Sequence, residues 1–148
     1  MLKLTKKADY GLIAMRHLAL QGTASAMATS SAKDIADEYG IPQQALAKIL
    51  QRLAKKQLIT SHNGPKGGYV LTRAPGEITV GQVVRALEGP VRIVSCMVED
   101  DDCPQFSRCN LRRPIQKIQA SISSALDTMT MAELTADPAA PAELVTIN

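Results

Sequence analysis

Two short amphipathic segments that meet at a tight turn, followed directly by a glycine-rich hairpin pattern, constrain the fold of this chain most. Ser31 with Asp34 three residues later is typical of the capped start of a helix. Gly40 is a typical helix end, and Pro42 suits the first turn of the next helix because no amide hydrogen bond is lost there. Two helices joined in this way predict a helix-turn-helix.

The second of these helices, predicted to run to about residue 57, has one apolar and one polar face. Its apolar positions recur at the spacing of a buried helical stripe, namely Leu46, Ile49, Leu50 and Leu53. The N-terminal part of such a helix enters the major groove of DNA, where Gln can bond adenine edges and Lys can bond guanine edges or phosphate. The residues that we predict to contact DNA from this helix are Gln43, Gln44, Lys48 and Arg52.

A hairpin is predicted immediately after this helix. Two β-prone runs, residues 58–61 and 69–72, flank a glycine-rich turn. A hairpin in this place is typical of a wing, in which glycines let the backbone approach phosphate or the minor groove. We therefore predict further DNA contacts at Asn63, Lys66 and Gly67. The alternative is an ordinary hairpin in which the Asn-Gly pair only forms the turn.

Charge is distributed unevenly along the chain. Residues 1–75 hold eleven Lys and Arg against four Asp and Glu, a net charge of +7, whereas residues 76–148 carry −4. The basic half is where a polyanion such as DNA would bind. No stretch reaches the roughly 20 apolar residues that span a bilayer, and no signal peptide is recognised. We therefore expect a cytoplasmic protein with no membrane partner.

Apolar residues recur in steps of four and three after the last cysteine. This seam, which is typical of a dimerisation helix, comprises Leu111, Ile115, Ile118, Ile122, Ala125 and Met129. The alternative is a helix that packs on its own domain.

Together these patterns predict a mainly α fold, a winged helix-turn-helix with a β-hairpin wing and a long C-terminal dimerisation helix. The predicted divisions are a DNA-binding domain at residues 1–90, a cysteine loop at 91–110, the dimerisation helix at 111–131 and a flexible tail at 132–148.

The chain has three cysteines, Cys96, Cys103 and Cys109, all in the predicted loop. An odd number in a cytoplasmic chain argues against a disulfide framework. Cysteine thiolates hold iron–sulfur clusters, whereas structural zinc usually takes closely spaced pairs that are absent here, so iron–sulfur is favoured. The acidic run at residues 99–102 opposes a low thiol pKa, which predicts a labile site. The alternative for any one cysteine is a small buried apolar residue.

Four segments of the chain resemble the IscR/NsrR/RirA family of winged-helix iron–sulfur transcriptional regulators. They are residues 4–11 (LTKKADYG), residues 41–58, the wing at 64–69 (GPKGGY) and the three-cysteine loop. The nearest branch is that of the regulators of the SUF cluster-assembly operon. The resemblance, over about residues 1–130, implies a homodimeric repressor that binds operator DNA and controls iron–sulfur assembly genes. It would sense cluster, iron, redox or nitric oxide status through a cluster, with 2Fe–2S favoured and 4Fe–4S as the alternative.

One departure from the family bears on the fourth cluster ligand. The IscR branch has a histidine three residues after the third cysteine, where this chain has Arg112. In the nitric-oxide-sensing branch an aspartate in the first helix of the partner subunit takes this role, and Asp9 matches its position. The resemblance thus implies Asp9 as a ligand beside the cysteines. Its alternative role is to complement the helix dipole. His17, expected to pack within the first helix, and His62, expected on the wing, are less favoured.

Three other functions compete with this hypothesis. The first is a cofactor-free switch on the same scaffold, in which two cysteines form a disulfide on oxidation. The second is an iron–sulfur or zinc enzyme or carrier, but the sequence shows no nucleophile–base pair or phosphate-binding glycine loop. We therefore expect no catalysis and no small-molecule substrate. The third is a winged helix that serves protein contacts only.

Overall fold

The chain folds into a winged helix, as predicted. A computed structural model describes residues 3–25, 27–63, 67–93 and 103–136. Its helices are α1 (Lys6–Ala24), α2 (Ala32–Tyr39), α3 (Gln43–Lys55), α4 (Val80–Glu88), α5 (Arg112–Thr128) and α6 (Met131–Ala136). An antiparallel hairpin of β1 (Ile59–His62) and β2 (Gly68–Leu71) lies between α3 and α4.

Local capping interactions set the start of α2. The Ser31 hydroxyl accepts from the Asp34 N–H at 3.1 Å, and the Asp34 carboxylate accepts from the Ser31 N–H at 3.0 Å, which confirms the predicted capping box. The backbone hydrogen bond from Ser31 favours the ionised carboxylate and lowers the pKa of Asp34. Gly40 ends the helix in the left-handed conformation (φ 65°), which costs glycine little.

The core lies between α1 and the helices that surround it. The predicted stripe of α3 is buried along its length, and in α1 Met15, Leu18 and Ala19 are buried while Leu12 is only partly so. Val83 and Leu87 of α4 close the core from the other side. The two helices of the helix-turn-helix are therefore held against a shared apolar interior.

The hairpin pairs Ile59 with Leu71 at its base, so each strand begins and ends within one residue of its prediction. A third segment joins it, because Ser30 exchanges two backbone hydrogen bonds with Tyr69, at 2.8 and 3.4 Å. Gly68 permits this approach, since a Cβ there would lie 2.7 Å from the carbonyl carbon of Ser30. The wing is thus attached to the loop that leads into α2.

The predicted dimerisation helix differs from α5 at its C-terminal end. The helix ends at Thr128, so Met129, the last residue of the predicted seam, lies beyond it. Near this end the Arg85 guanidinium of α4 binds the Asp127 carboxylate at 2.5 Å. A Cβ at Gly81 would lie 2.1 Å from that carboxylate, so the glycine allows α4 and α5 to pack closely.

The flexible tail predicted from residue 132 requires correction, because its first residues form helix α6. Thr130 and Glu133 cap this helix reciprocally, each side chain accepting from the backbone N–H of the other residue. Met131 is completely buried, and the Arg16 Nε of α1 donates to the Leu134 carbonyl at 2.9 Å. The helix forms because it covers part of the core. Residues 137–148 lie outside the described residues.

Within the described residues, no helix combines the length and apolar character needed to cross a membrane.

Replacing Gly68 with Ala should lower the free energy of unfolding by about 1–3 kcal/mol, because the added methyl overlaps the Ser30 backbone rather than a movable side chain. Urea denaturation would measure the change. Gly76→Ala is the matched control, since no heavy atom of the described residues lies within 4 Å of its Cβ position. Equal stability of the two variants would contradict this account of the wing attachment.

Candidate functional site

The polar face of α3 is open to solvent where the sequence predicted DNA contacts. Gln43 and Gln44 are exposed in the first turn of the helix, and Lys48 is exposed one turn later. Arg52 has a second role, because its Nε donates to the Ala86 carbonyl at 2.9 Å and so connects α3 to α4. The helix thus presents amide groups at its start and cations further along.

A groove of about 690 Å³ runs between the N-terminal end of α1 and α3. In the part of the chain that the structure describes, five cationic side chains line it, Lys6, Lys7, Lys48, Arg52 and Lys55. Three of them, Lys6, Lys7 and Lys55, were not among the predicted contacts. The sequence held part of the signal for Lys55, because it follows Lys48 and Arg52 at the i+7 and i+3 spacing of one helix face. A groove with this charge suits a phosphate backbone.

The predicted wing contacts lie at the tip of the hairpin. Asn63 follows β1 and Gly67 precedes β2, and both are exposed. Lys66 falls within residues 64–66, outside the described residues. His62 ends β1 and is exposed, as expected for a residue of the wing.

His17 is buried in α1 and joins α1, α2 and the segment attached to the wing. Its Nδ1 lies 2.9 Å from the Tyr39 hydroxyl and its Nε2 lies 2.9 Å from the Ser30 hydroxyl. The Glu38 carboxylate lies 3.6 Å from Nδ1. Burial raises the pKa of Tyr39, because it disfavours the ionised phenol. With both ring nitrogens at hydroxyl groups, His17 is better suited to this network than to metal binding.

Two of the three cysteines lie in the described part of the loop. Cys103 is half-buried, Cys109 is exposed, and both carry free thiols. The 3₁₀ turn Phe106–Arg108 separates them. The Arg112 guanidinium carbon, at the position where the IscR branch has its histidine, lies 4.0 Å from the centre of the Phe106 ring, a cation–π contact. Cys96 lies outside the described residues, which lack 94–102.

Accessible thiols on a short turn fit the thiolate donors of an iron–sulfur cluster. Asp9 lies in the first turn of α1, half-buried, with its carboxylate 3.9 Å from the Lys6 Nζ. Among the residues that the structure describes, no three His, Cys, Asp or Glu side chains are grouped closely enough to hold a metal ion. One chain therefore does not bring Asp9 together with Cys103 and Cys109.

The predicted seam of α5 is covered only in part by its own chain. Leu111, Ile118 and Met129 are 60%, 50% and 41% exposed. Ile115 and Ile122 are half-buried, Ala125 is exposed, and none of the α5 side chains, all of them within the described residues, is buried. An apolar stripe of this length on a solvent-facing helix is typical of an interaction surface.

Comparison with known proteins identifies relatives along most of the chain. Residues 4–137 match the Rrf2 family, described as iron-dependent transcriptional regulators. The HTH-type transcriptional repressor NsrR of Streptomyces coelicolor is 33% identical over 141 residues, which cover 95% of this chain and 93% of that protein. The HTH-type transcriptional regulator IscR of Aliivibrio salmonicida is 32% identical over 136 residues, covering 92% and 79%.

A solved structure agrees with these matches. CymR of B. subtilis, named as its global cysteine regulator, superposes with a TM-score of 0.75 at 32% sequence identity, over 92% of this chain and 98% of that one. The family match covers nearly the whole described fold, including the helix-turn-helix, the wing and α5. The chain therefore belongs to the Rrf2 family of transcriptional regulators.

Proposed function

We propose that this chain is a homodimeric repressor that binds operator DNA and responds to an iron–sulfur cluster held by its cysteine loop. The signal would be cluster, iron, redox or nitric oxide status. The protein would act in the cytoplasm and control iron–sulfur assembly genes. The observation that supports this most is that the loop with two accessible thiols leads directly into α5, the helix whose apolar seam is partly exposed. We expect no catalytic activity.

The α3 surface would bind DNA through two kinds of contact. Gln43 and Gln44 would reach base edges from the first turn of α3, and Lys48 and Arg52 would bind bases or phosphates, helped by the other cations of the groove. On the wing, the exposed Asn63 and Gly67 flank the predicted contact Lys66 and would approach the adjacent backbone or minor groove.

The seam of α5 would pair with the same seam of a second copy. Pairing would bury the exposed faces of Leu111 and Ile118 that one chain leaves in water. Two winged helices held by paired α5 helices would read two half-sites of an operator.

The cysteine loop would hold the cluster through Cys96, Cys103 and Cys109, with Asp9 from the partner's first helix as the fourth ligand. When bound, a cluster of this kind supplies a centre that reacts with oxidants, and 2Fe–2S is favoured over 4Fe–4S. The Arg112–Phe106 contact would stabilise the turn between the second and third cysteines. Regulation requires that the loaded loop favour one of two dimer arrangements.

A cofactor-free thiol switch is the second candidate. It is favoured by one observation, that Cys103 and Cys109 are free and both reach solvent across a single 3₁₀ turn. The two thiols would lose two protons and two electrons to an oxidant such as a peroxide and form one disulfide. Iron and sulfide content of protein purified without oxygen separates the two candidates.

Lys48→Ala should weaken binding to promoter DNA and reduce the slope of log affinity against log salt by about 1, because one phosphate or base contact is lost. Fluorescence anisotropy at several salt concentrations would measure both quantities. Lys117→Ala, which removes the same charge from the exposed surface of α5, should change neither. Equal effects of the two substitutions would contradict the assignment of α3 to DNA.

Ile118→Glu should weaken dimerisation by about 10- to 100-fold, because the seam would have to bury a charge without a partner. Sedimentation equilibrium would give the dissociation constant. Ser124→Glu adds the same side chain on an exposed part of α5 away from the seam and serves as the control. A wild-type chain that sediments as a monomer would refute the dimer outright.

Cys109→Ser should abolish the visible absorption of protein reconstituted with ferrous iron and sulfide without oxygen, because one thiolate ligand is lost.

Asp9→Ala should retain the absorption in altered form and lose the cluster faster. Asp37→Ala, at an exposed position on α2, is its control. An unchanged spectrum and lifetime in Asp9→Ala would remove Asp9 from the ligand set.

A further inference from the structure

We infer that Gln119 of α5 is a positioning residue that fixes the start of the cysteine loop onto α5. Its side-chain amide binds the backbone of the chain that enters the loop. The Oε1 atom accepts from the Ile93 N–H at 2.8 Å, and the Nε2 atom donates to the Val91 carbonyl at 2.5 Å. This pair of hydrogen bonds is hereafter the Gln119 anchor.

The amide is held in one orientation. Its Nε2 also donates to the Ser123 hydroxyl at 3.1 Å, so both amide hydrogens are used while the oxygen faces a backbone donor. A rotated amide would set NH₂ against the Ile93 N–H and oxygen against the Val91 carbonyl, and both contacts would be repulsive. The Gln119 side chain therefore satisfies one backbone N–H and one backbone carbonyl of residues 91–93, as the backbone of a neighbouring β-strand would.

The anchor lies where three parts of the chain meet. Val91 packs against the edge of the core. It also lines a cavity of about 450 Å³ together with Ile122 and Leu126 of α5 and Thr5 just before α1. The chain entering the cysteine loop therefore lies between α5 and the start of α1, the helix that carries Asp9.

Both ends of the cysteine loop are consequently attached to the same helix. After Cys109 the loop runs into the first turn of α5, and before the loop Gln119 holds Ile93 about two turns further along α5. A rearrangement of the loop that displaces Ile93 must therefore either move α5 or break the Gln119 anchor. The idea that a cluster or oxidation rearranges the loop rests on the proposed function. The Gln119 anchor does not depend on that proposal.

Hydrogen exchange of the full-length protein without a cluster tests the anchor. Gln119→Ala should speed exchange of the Ile93 amide about five- to tenfold, because its acceptor is lost. Gln116→Ala, the same substitution one turn earlier at an exposed position of α5, should leave this amide unchanged. Gln119→Glu keeps an acceptor for the Ile93 N–H but sets a carboxylate oxygen against the Val91 carbonyl, so the exchange rate should fall between those of the wild type and Gln119→Ala. Wild-type exchange in Gln119→Ala would overturn the inference whether or not the protein binds a cluster.

A second measurement tests whether the anchor transmits the loop's state. The affinity for promoter DNA is measured for each variant with and without a cluster reconstituted from ferrous iron and sulfide. In Gln119→Ala the ratio of the two affinities should fall toward one at unchanged iron content, whereas Gln116→Ala should keep the wild-type ratio. If Gln119→Ala speeds exchange of the Ile93 amide but leaves the ratio of DNA affinities unchanged, the anchor does not transmit the state of the loop. A ratio of one in the wild type would instead refute the proposed function, and the exchange experiment would still decide on the anchor.

Discussion

The junction between the end of α5 and the start of α4 is the constraint on which the rest of the molecule depends. Two backbone hydrogen bonds form it, from the Val80 N–H to the Met129 carbonyl and from the Met131 N–H to the Ile78 carbonyl, both at 2.8 Å. Met131 is completely buried at this point. Because water cannot compete for these groups without opening the core, the base of α5 is fixed to the winged helix.

In the proposed mechanism, α5 connects the cysteine loop with the winged helix. The 17 residues of α5 span about 25 Å at the usual rise, from the cysteine loop to the junction with α4. Its seam is only partly covered along this length, and Gln119 holds the start of the cysteine loop to its side. In the proposed dimer, a change at the thiols would therefore reach the α3 surface through the orientation of the two α5 helices, rather than through direct contact.

Sequence patterns predicted those parts of the molecule that depend on local interactions. The helix-turn-helix, the Ser31 capping box and the stripe of α3 were correct because each arises from residues within a few positions of one another. Thr130 and Glu133 have the spacing of a capping box and could have predicted α6. The prediction was missed because the heptad pattern of the seam continues to Met129. The helix ends at Thr128 because the backbone of Met129 and Met131 forms hydrogen bonds with the start of α4 instead of continuing the helix.

Features that join distant segments could not be predicted. Arg52 was assigned to DNA by its place on the polar face of α3, yet its contact with the Ala86 carbonyl is set by how α3 packs on α4. Lys6 and Lys7 join the basic groove only because α1 crosses beside α3. Gln119 looked like an ordinary polar residue between seam positions, since its partners at Val91 and Ile93 lie more than 25 residues away in sequence.

The most direct test of the account is the affinity of one protein preparation for DNA before and after its cluster is removed. The protein is reconstituted without oxygen, used to select binding sequences from its own genome's promoters, and then treated with an iron chelator. We expect the affinity for the selected sequence to change by about 5- to 150-fold on removal of the cluster, as a coupling of about 1–3 kcal/mol implies. Identical affinities, with the iron shown to be bound before and absent after treatment, would contradict the claim that the cysteine loop controls DNA binding.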